Sequence, residues 1–447
     1  MKLSQIGMAI GAVFFLYSLF KKPEWLAILL FTAIIAEINF DVPGMPMNFR
    51  AITSLCLLGR VIGMPANDRY PRFFSTGYSW HMGFFVLYMI AITAKNNLLD
   101  FGVVKEFILS FVAAYLGYFF FMRQNGYQIF KWAIVFAGLT CFGDLAYTYA
   151  FVGGFPVERW CYLVVPGYEV FNHNFFGYIC GAAFIFLLND YLSANKKIKV
   201  NLYLMPVMFL GVLLSTSRSS LLIMMILAMI LVVRELLSSH KKGKKAYTLV
   251  SITFVCLLIT LFIFQIIQEF IASDSEFLKQ ITGRLIDEPV AILNRALGNN
   301  YNANNLDSMD WRAEASALAY HRFVNLIPEE QLFGIGYNGF LARDYGFAYD
   351  AHNGILLVMI EFGIFGFLVY YSLLILMIFK SIRLMKFESP FTMVLIYMIL
   401  YVASHNKELT AFFCFLVHGS LAAHIQIKEH EGEIDEVQIV EVEPNPA

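Results

Sequence analysis

The sequence predicts an all-α, polytopic membrane protein, and three observations carry that prediction. Hydrophobic residues make up 59% of the 447 and charged residues only 15%, too apolar a balance for a soluble chain, whose surface must be largely polar. The apolar residues gather into runs of roughly 17 to 25, the length that crosses a bilayer. Between these runs lie short clusters of lysine and arginine, which mark the cytoplasmic side.

The runs fall near 4–20, 24–40, 48–64, 77–94, 104–122, 131–151, 173–192, 200–214, 219–236, 246–270, 353–379, 390–404 and 409–427. They make about 12 (12–13) transmembrane helices, because the first two are short, flank only Lys21-Lys22-Pro23-Glu24, and either fits a half-helix. The first run has one preceding lysine and no small-residue cleavage site, so it reads as retained rather than as a cleaved signal. Lys196-Lys197-Ile198-Lys199, Lys241 to Lys245 and Lys380 to Lys386 face the cytoplasm on this reading, as do Arg69 and Arg72. Counting crossings from those anchors puts the loop 152–172, the Ser215–Ser220 junction and the segment 271–352 on one outer face.

Four regions follow: N-terminal transmembrane helices over 1–270, a large outer, partly helical loop over 271–352, C-terminal transmembrane helices over 353–427, and an acidic tail over 428–447. The tail, KEHEGEIDEVQIVEVEPNPA, is expected to be a disordered cytoplasmic end. The outer loop is too long to be an idle connection. Phe277 to Leu297 and Asp310 to Val324 carry helical apolar spacing. Leu306 to Asp310 offers a polar helix start and Pro328 a stop, with the Gly298–Asn305 connector between the two helices.

The formal net charge of -1 gives no reason to expect a nucleic-acid partner. The six cysteines lie mostly in apolar runs without CxxC or Cys/His spacing, so neither a disulfide framework nor a zinc site is indicated. Asp274-Ser275-Glu276 offers two carboxylates but no third ligand nearby. No metal and no cofactor are expected.

Chemistry is expected in the stretch from Leu332 to Phe367, which joins the outer loop to a long apolar helix. A glycine-rich turn (Gly334, Gly336, Gly339) leads through Arg343-Asp344 to His352 and Asn353 at the start of that helix. Backbone N–H groups lack helical partners there, and the dipole is positive. A histidine at a water–membrane boundary titrates near neutrality, which suits a general base. The plainer alternative is that Asp350 or Asn353 caps the helix and His352 lines the interface. Ser217-Arg218, inside Ser215–Ser220, breaks an apolar run. An arginine at that depth either faces a polar cavity or snorkels to the surface. Asn172-His173-Asn174 opens another helix on the same face, where His173 either binds sugar hydroxyls or caps.

His352-Asn353, followed nine residues later by Gly363 and then by Gly366, resembles the signature of the bacterial O-antigen ligase and O-antigen/capsule polysaccharide polymerase superfamily. Gly334-Ile335-Gly336 and Ser217-Arg218 resemble two further motifs of that family. Trp311 to Leu318 is similar to its loop motif, with Arg312 opening a helix ahead of Ala317-Leu318. Ser316 stands where the family commonly has tryptophan, which leaves Arg284 and Arg295 as rivals to Arg312. The resemblance implies a membrane glycosyltransferase of the GT-C kind in the bacterial inner membrane, facing the periplasm. Its donor would be an undecaprenyl-diphosphate-linked oligosaccharide and its acceptor a lipid-linked repeat unit (polymerase, preferred here) or lipid A–core (ligase). Arg218 and Arg312 would hold the diphosphate in place of a metal and His352 would activate the acceptor. Ser217, Asn353, Gly334, Gly336, His173, Asn174 and Arg343 would contact substrate. A transporter or flippase of lipid-linked sugars is the alternative of another class. It would show internal repeats and helices broken at the bilayer midplane rather than polar groups at one face.

Overall fold

The computed structural model describes residues 17, 22–36, 38, 49–63, 73, 76–123, 125–147, 173–193, 199–238, 307–342, 353–403 and 412–441. All the described secondary structure is helical. In order the helices are α1 (Pro23–Ile35), α2 (Phe49–Ile62), α3 (Gly77–Lys95), α4 (Phe101–Phe121), α5 (Gly126–Tyr147), α6 (His173–Ser193) and α7 (Lys199–Leu214). Then come α8 (Arg218–Ser238), α9 (Asp307–Val324), α10 (Pro328–Phe333), α11 (Gly339–Ala342), α12 (Gly354–Met385), α13 (Pro390–Val402) and α14 (Phe412–Glu441). By length and composition, α4, α5, α12 and the Asn174–Ser193 stretch of α6 can cross a membrane, and α1, α13 and the Val200–Leu214 stretch of α7 are shorter apolar helices. The protein is an all-helical membrane protein.

Helix starts follow local chemistry. Thr76 and Asp100 cap α3 and α4 by accepting from the N–H groups of Ser79 and Val103. Asn353 caps α12 with its side-chain oxygen, which accepts from Ile355 and Leu356 at 3.1 Å each.

The chain divides into two compact units, residues 138–313 with 1–5, and residues 6–137 with 314–447. In the first, α6 packs on α7 and α8 and is buried along 174–192. Gly138 and Gly211 make the close approaches, since a Cβ on them would meet Met208 Sδ at 2.5 Å and Cys180 Sγ at 2.6 Å. In the second, α4 and α14 lie nearly backbone to backbone. A Cβ on Gly419 would stand 1.9 Å from the Ala114 carbonyl oxygen, and one on Gly117 2.6 Å from that of Leu416. Small residues serve helix pairing in a membrane because close backbones gain dispersion contacts that lipid does not supply.

One expectation, the unstructured tail, is corrected, and others lie outside the described residues. The helix read over Asp310–Val324 with Pro328 beyond it is α9, which ends at Val324, its last turn closed by Asn325 N–H to the His321 carbonyl at 3.1 Å; Pro328 in turn opens α10. Proline suits a first helical position, where its missing N–H would have no partner. The tail from 428 was expected to lack structure, whereas α14 runs on to Glu441. Lys428 bonds Glu431 at 2.7 Å across one turn, and Lys380 pairs with Glu429 at 2.7 Å. The run near 4–20 apart from residue 17, the run near 246–270, the Phe277–Leu297 helix and the Gly298–Asn305 connector lie outside the described residues.

Candidate functional site

In the first unit the candidate residues gather at the start of α6 and the α7–α8 turn. Thr216 takes a left-handed conformation (φ 51°), and hydroxyls hold the turn. Ser215 Oγ donates to the Val212 carbonyl at 2.7 Å and accepts from Ser217 N–H at 3.2 Å, while Ser217 and Ser220 share a 2.8 Å hydroxyl bond. Ser215, Thr216, Ser217 and Ser220 are all buried. Gly177 admits the turn onto α6, because a Cβ there would stand 2.3 Å from Ser215 Oγ and 2.7 Å from Ser217 Cβ. One helical turn earlier on the same face lies buried Asn174. Ser217, Arg218 and the first turn of α6, which His173 opens, thus share one end of this unit.

Arg218 is the first residue of α8 and is half-buried. A helix N-terminus carries the positive end of the dipole, so a guanidinium there adds positive to positive, a placement disfavoured by about 0.3–1 kcal/mol without an anion.

The far end of the same unit holds a polar network that sequence reasoning missed. Asn201 donates to Asp190 at 2.8 Å, Ser193 to Asn189 at 2.9 Å, and Arg234 to Asn189 at 3.3 Å. The signal was present as Asn189-Asp190 inside an apolar run.

In the second unit, α12 is interrupted at Gly363 (φ 68°, ψ 178°). Gly334, at the end of α10, lies in the same region (φ 90°, ψ 172°), one that is essentially glycine-only. The two glycines face each other. A Cβ on Gly363 would stand 2.3 Å from the Leu332 carbonyl oxygen, and one on Gly334 2.3 Å from that of Glu361. Freed from the helical ladder, three carbonyls of α12 accept bonds from outside it. Ile360 accepts from Ile335 N–H at 3.2 Å, Glu361 from Gly336 N–H at 2.8 Å, and Phe362 from the Tyr88 hydroxyl at 2.9 Å. Tyr88 also sits 2.8 Å from the Phe333 carbonyl, so its oxygen bridges both strands of the dock. The buried Glu361 carboxylate accepts from Asn338 N–H at 2.8 Å, and Thr93 Oγ1 accepts from Tyr337 N–H at 3.1 Å.

These bonds fix the glycine turn in place. Gly334 N–H reaches Glu330 at 2.7 Å and Gly339 N–H reaches Gly336 at 2.9 Å, so every backbone N–H from 334 to 339 is engaged within the protein. Gly334 and Gly336 hold the turn on α12, with their N–H groups bonded to the Glu330 and Glu361 carbonyls. Beneath the turn, buried Ala319, Phe323, Ile335, Phe340, Leu357 and Ile360 form one apolar cluster. At its edge Lys95 bonds Glu329 at 2.5 Å and holds that exposed carboxyl below its ordinary range.

Asn353, expected to contact substrate, spends its side-chain oxygen on the cap of α12. His352 immediately precedes it in sequence. His352, Arg343, Arg284, Arg295 and Asp274-Ser275-Glu276 lie outside the described residues, as do the side chains of His173 and Arg312. Arg312 itself lies on α9. Sequence reasoning also missed Tyr88, Thr93 and Glu361. Only Glu361 left a signal, as a carboxylate in an otherwise apolar helix.

Residues 203–371 match the family model described as O-antigen ligase. The match runs from α7 through the Gly363 interruption and includes Ser217, Arg218, Arg312, the glycine turn, His352 and Asn353. No curated protein matches the chain.

Proposed function

From the O-antigen ligase domain at residues 203–371 as premise, we propose that the protein transfers an oligosaccharide from an undecaprenyl-diphosphate donor to an acceptor hydroxyl. The reaction takes place on the periplasmic side of the inner membrane, and the acceptor is another lipid-linked repeat unit. The twelve or thirteen crossings and the GT-C architecture read from the sequence belong to the same proposal. The acceptor oxygen attacks the anomeric carbon as the bond from that carbon to the diphosphate oxygen breaks. His352 takes the acceptor's proton, and the diphosphate leaves as an anion held by Arg218 and Arg312. Direct displacement inverts the anomeric configuration.

The observation that carries the proposal is the placement of Arg218 at the first position of α8, beside a buried serine turn. A guanidinium at the positive end of a helix suits an anionic ligand, and its planar fork matches phosphate oxygens. The description of the matched family as O-antigen ligase favours a second acceptor, lipid A–core. Purified protein incubated with a lipid-linked repeat unit, with and without lipid A–core, separates the two. Polymer without lipid A–core supports the first reading, and glycan found only on lipid A–core the second. Movement of intact donor across vesicles with no new glycosidic bond would overturn both in favour of a transporter.

A further inference from the structure

At the opposite end of α12 from Asn353, a cavity of about 940 Å³ opens between the C-terminal half of α12, the start of α3 and the middle of α14. Its lining changes character along its length. On α12 it begins with Leu373, Leu376 and Met377 and ends with Lys380 and Arg383, which are three or four residues apart and so share one face. On α14 the sequence is parallel in character, from Ala422 and Ile425 to Gln426 and Glu429. From Leu373 to Arg383 is ten residues, about 15 Å of helix. That distance suits the passage from hydrocarbon to headgroup at a membrane surface. Leu376 and Phe379, 62% and 69% exposed, carry the apolar rim outward on the same helix.

The polar end is net cationic. Lys380 pairs with Glu429 at 2.7 Å, which leaves Arg383 as uncompensated charge in that pair of stripes. Thr76 and Gly77, at the start of α3, also line the cavity. The walls are braced from within the protein, with Tyr118 bonded to Gln426 and His81 Nε2 against the Val369 carbonyl at 2.8 Å.

We infer that this cavity is a binding site for one anionic glycerophospholipid of the cytoplasmic leaflet, with its phosphate at Arg383 and Lys380 and an acyl chain along Leu376, Met377 and Ile425. The apolar-to-basic gradient selects a lipid over a soluble phosphate, because a soluble anion has no use for the apolar half. Basic pockets between transmembrane helices on the cytoplasmic side are a recurring way of holding such headgroups. The site does not depend on the assignment of the glycosyl-transfer residues.

The test is native mass spectrometry of the full-length protein with palmitoyl-oleoyl phosphatidylglycerol, with phosphatidylcholine as control and glycerol 3-phosphate as a soluble competitor. One phosphatidylglycerol should be retained in preference to phosphatidylcholine, and glycerol 3-phosphate should not displace it. Arg383→Gln should weaken retention about fivefold, the value of one cation near a membrane surface, and Arg383→Lys should preserve it. Ala422→Leu, which narrows the cavity without touching charge, should also weaken it. Lys386→Gln, three residues beyond Arg383 and outside the lining, should not. Thermal melts in phosphatidylcholine confirm that each variant is folded. Equal retention of both lipids, displacement by glycerol 3-phosphate, or equal loss in Lys386→Gln and Arg383→Gln would overturn the site.

Discussion

Replacing Gly363 by alanine tests whether the Gly334–Gly363 dock holds the start of α12. The backbone there, at φ 68° and ψ 178°, costs a non-glycine residue about 1–3 kcal/mol. The added Cβ would also stand 2.3 Å from the Leu332 carbonyl oxygen and 2.5 Å from Gly334 N. Both are backbone atoms, so no side-chain rotation relieves the clash. If the turn lifts, the bonds from Ile335, Gly336 and Asn338 to α12 are lost at about 1 kcal/mol each. The total is on the order of 4 kcal/mol, roughly a thousandfold shift away from the docked arrangement. Hydrogen exchange should therefore rise at 335–338 while α4 and α14 keep their protection, and glycosyl transfer should fall at least a hundredfold. Gly59→Ala is the matched control, since a Cβ there meets nothing within 4 Å and alanine favours the helix. Wild-type exchange at 335–338 in a folded Gly363→Ala protein would refute the dock.

Tyr88→Phe removes the hydroxyl that bridges the Phe333 and Phe362 carbonyls, and should destabilise the turn by about 1–2 kcal/mol, read as faster exchange at 333–338 without loss of insertion. His352→Ala should lower turnover by about 10²- to 10⁴-fold with donor binding intact, the usual scale for a general base; near-normal product from folded protein would remove the assignment. Arg218→Lys should weaken diphosphate recognition although the charge is kept, because the bidentate fork is lost; normal activity would make Arg218 an interfacial anchor. Turnover should survive chelation, and activity lost to a chelator and restored by magnesium or manganese would put Asp274-Ser275-Glu276 at the centre instead.

Helix positions were legible in the sequence because bilayer length and apolarity act on whole segments. The run read near 77–94 is α3 at Gly77–Lys95, and that near 200–214 is α7 at Lys199–Leu214. Ends decided by a single residue were less legible. Pro328 has one local preference, a fixed φ without an N–H, that serves equally to end one helix or begin another. The tail was misjudged on net acidity, although Lys428 and Glu431 have the spacing of a helical ion pair. At the site, Ser217, Arg218 and Asn174 could be assigned to one face because each interrupts an apolar run. Tyr88 and Thr93 could not, because an aromatic and a β-branched residue in an apolar helix read as core, and their bonds to Phe333, Phe362 and Tyr337 span more than 240 positions of sequence.

The glycine turn and the Asn353-capped start of α12, separate in the sequence, form one device in the structure. A Cβ on either glycine would run into the backbone of the other and of a residue two before it, so neither glycine has its role without the other. The interruption at Gly363 leaves Ile364 to Met385, about 33 Å of helix, enough to cross the hydrocarbon core. Residues 354–362 are held by the turn, by Tyr88 and Thr93 of α3, and by the apolar cluster around Ile335. Asn353 caps that short segment. A residue at the end of a long loop would be located only by the loop, whereas Asn353 takes its position from a helix that is bonded to α3 and the glycine turn.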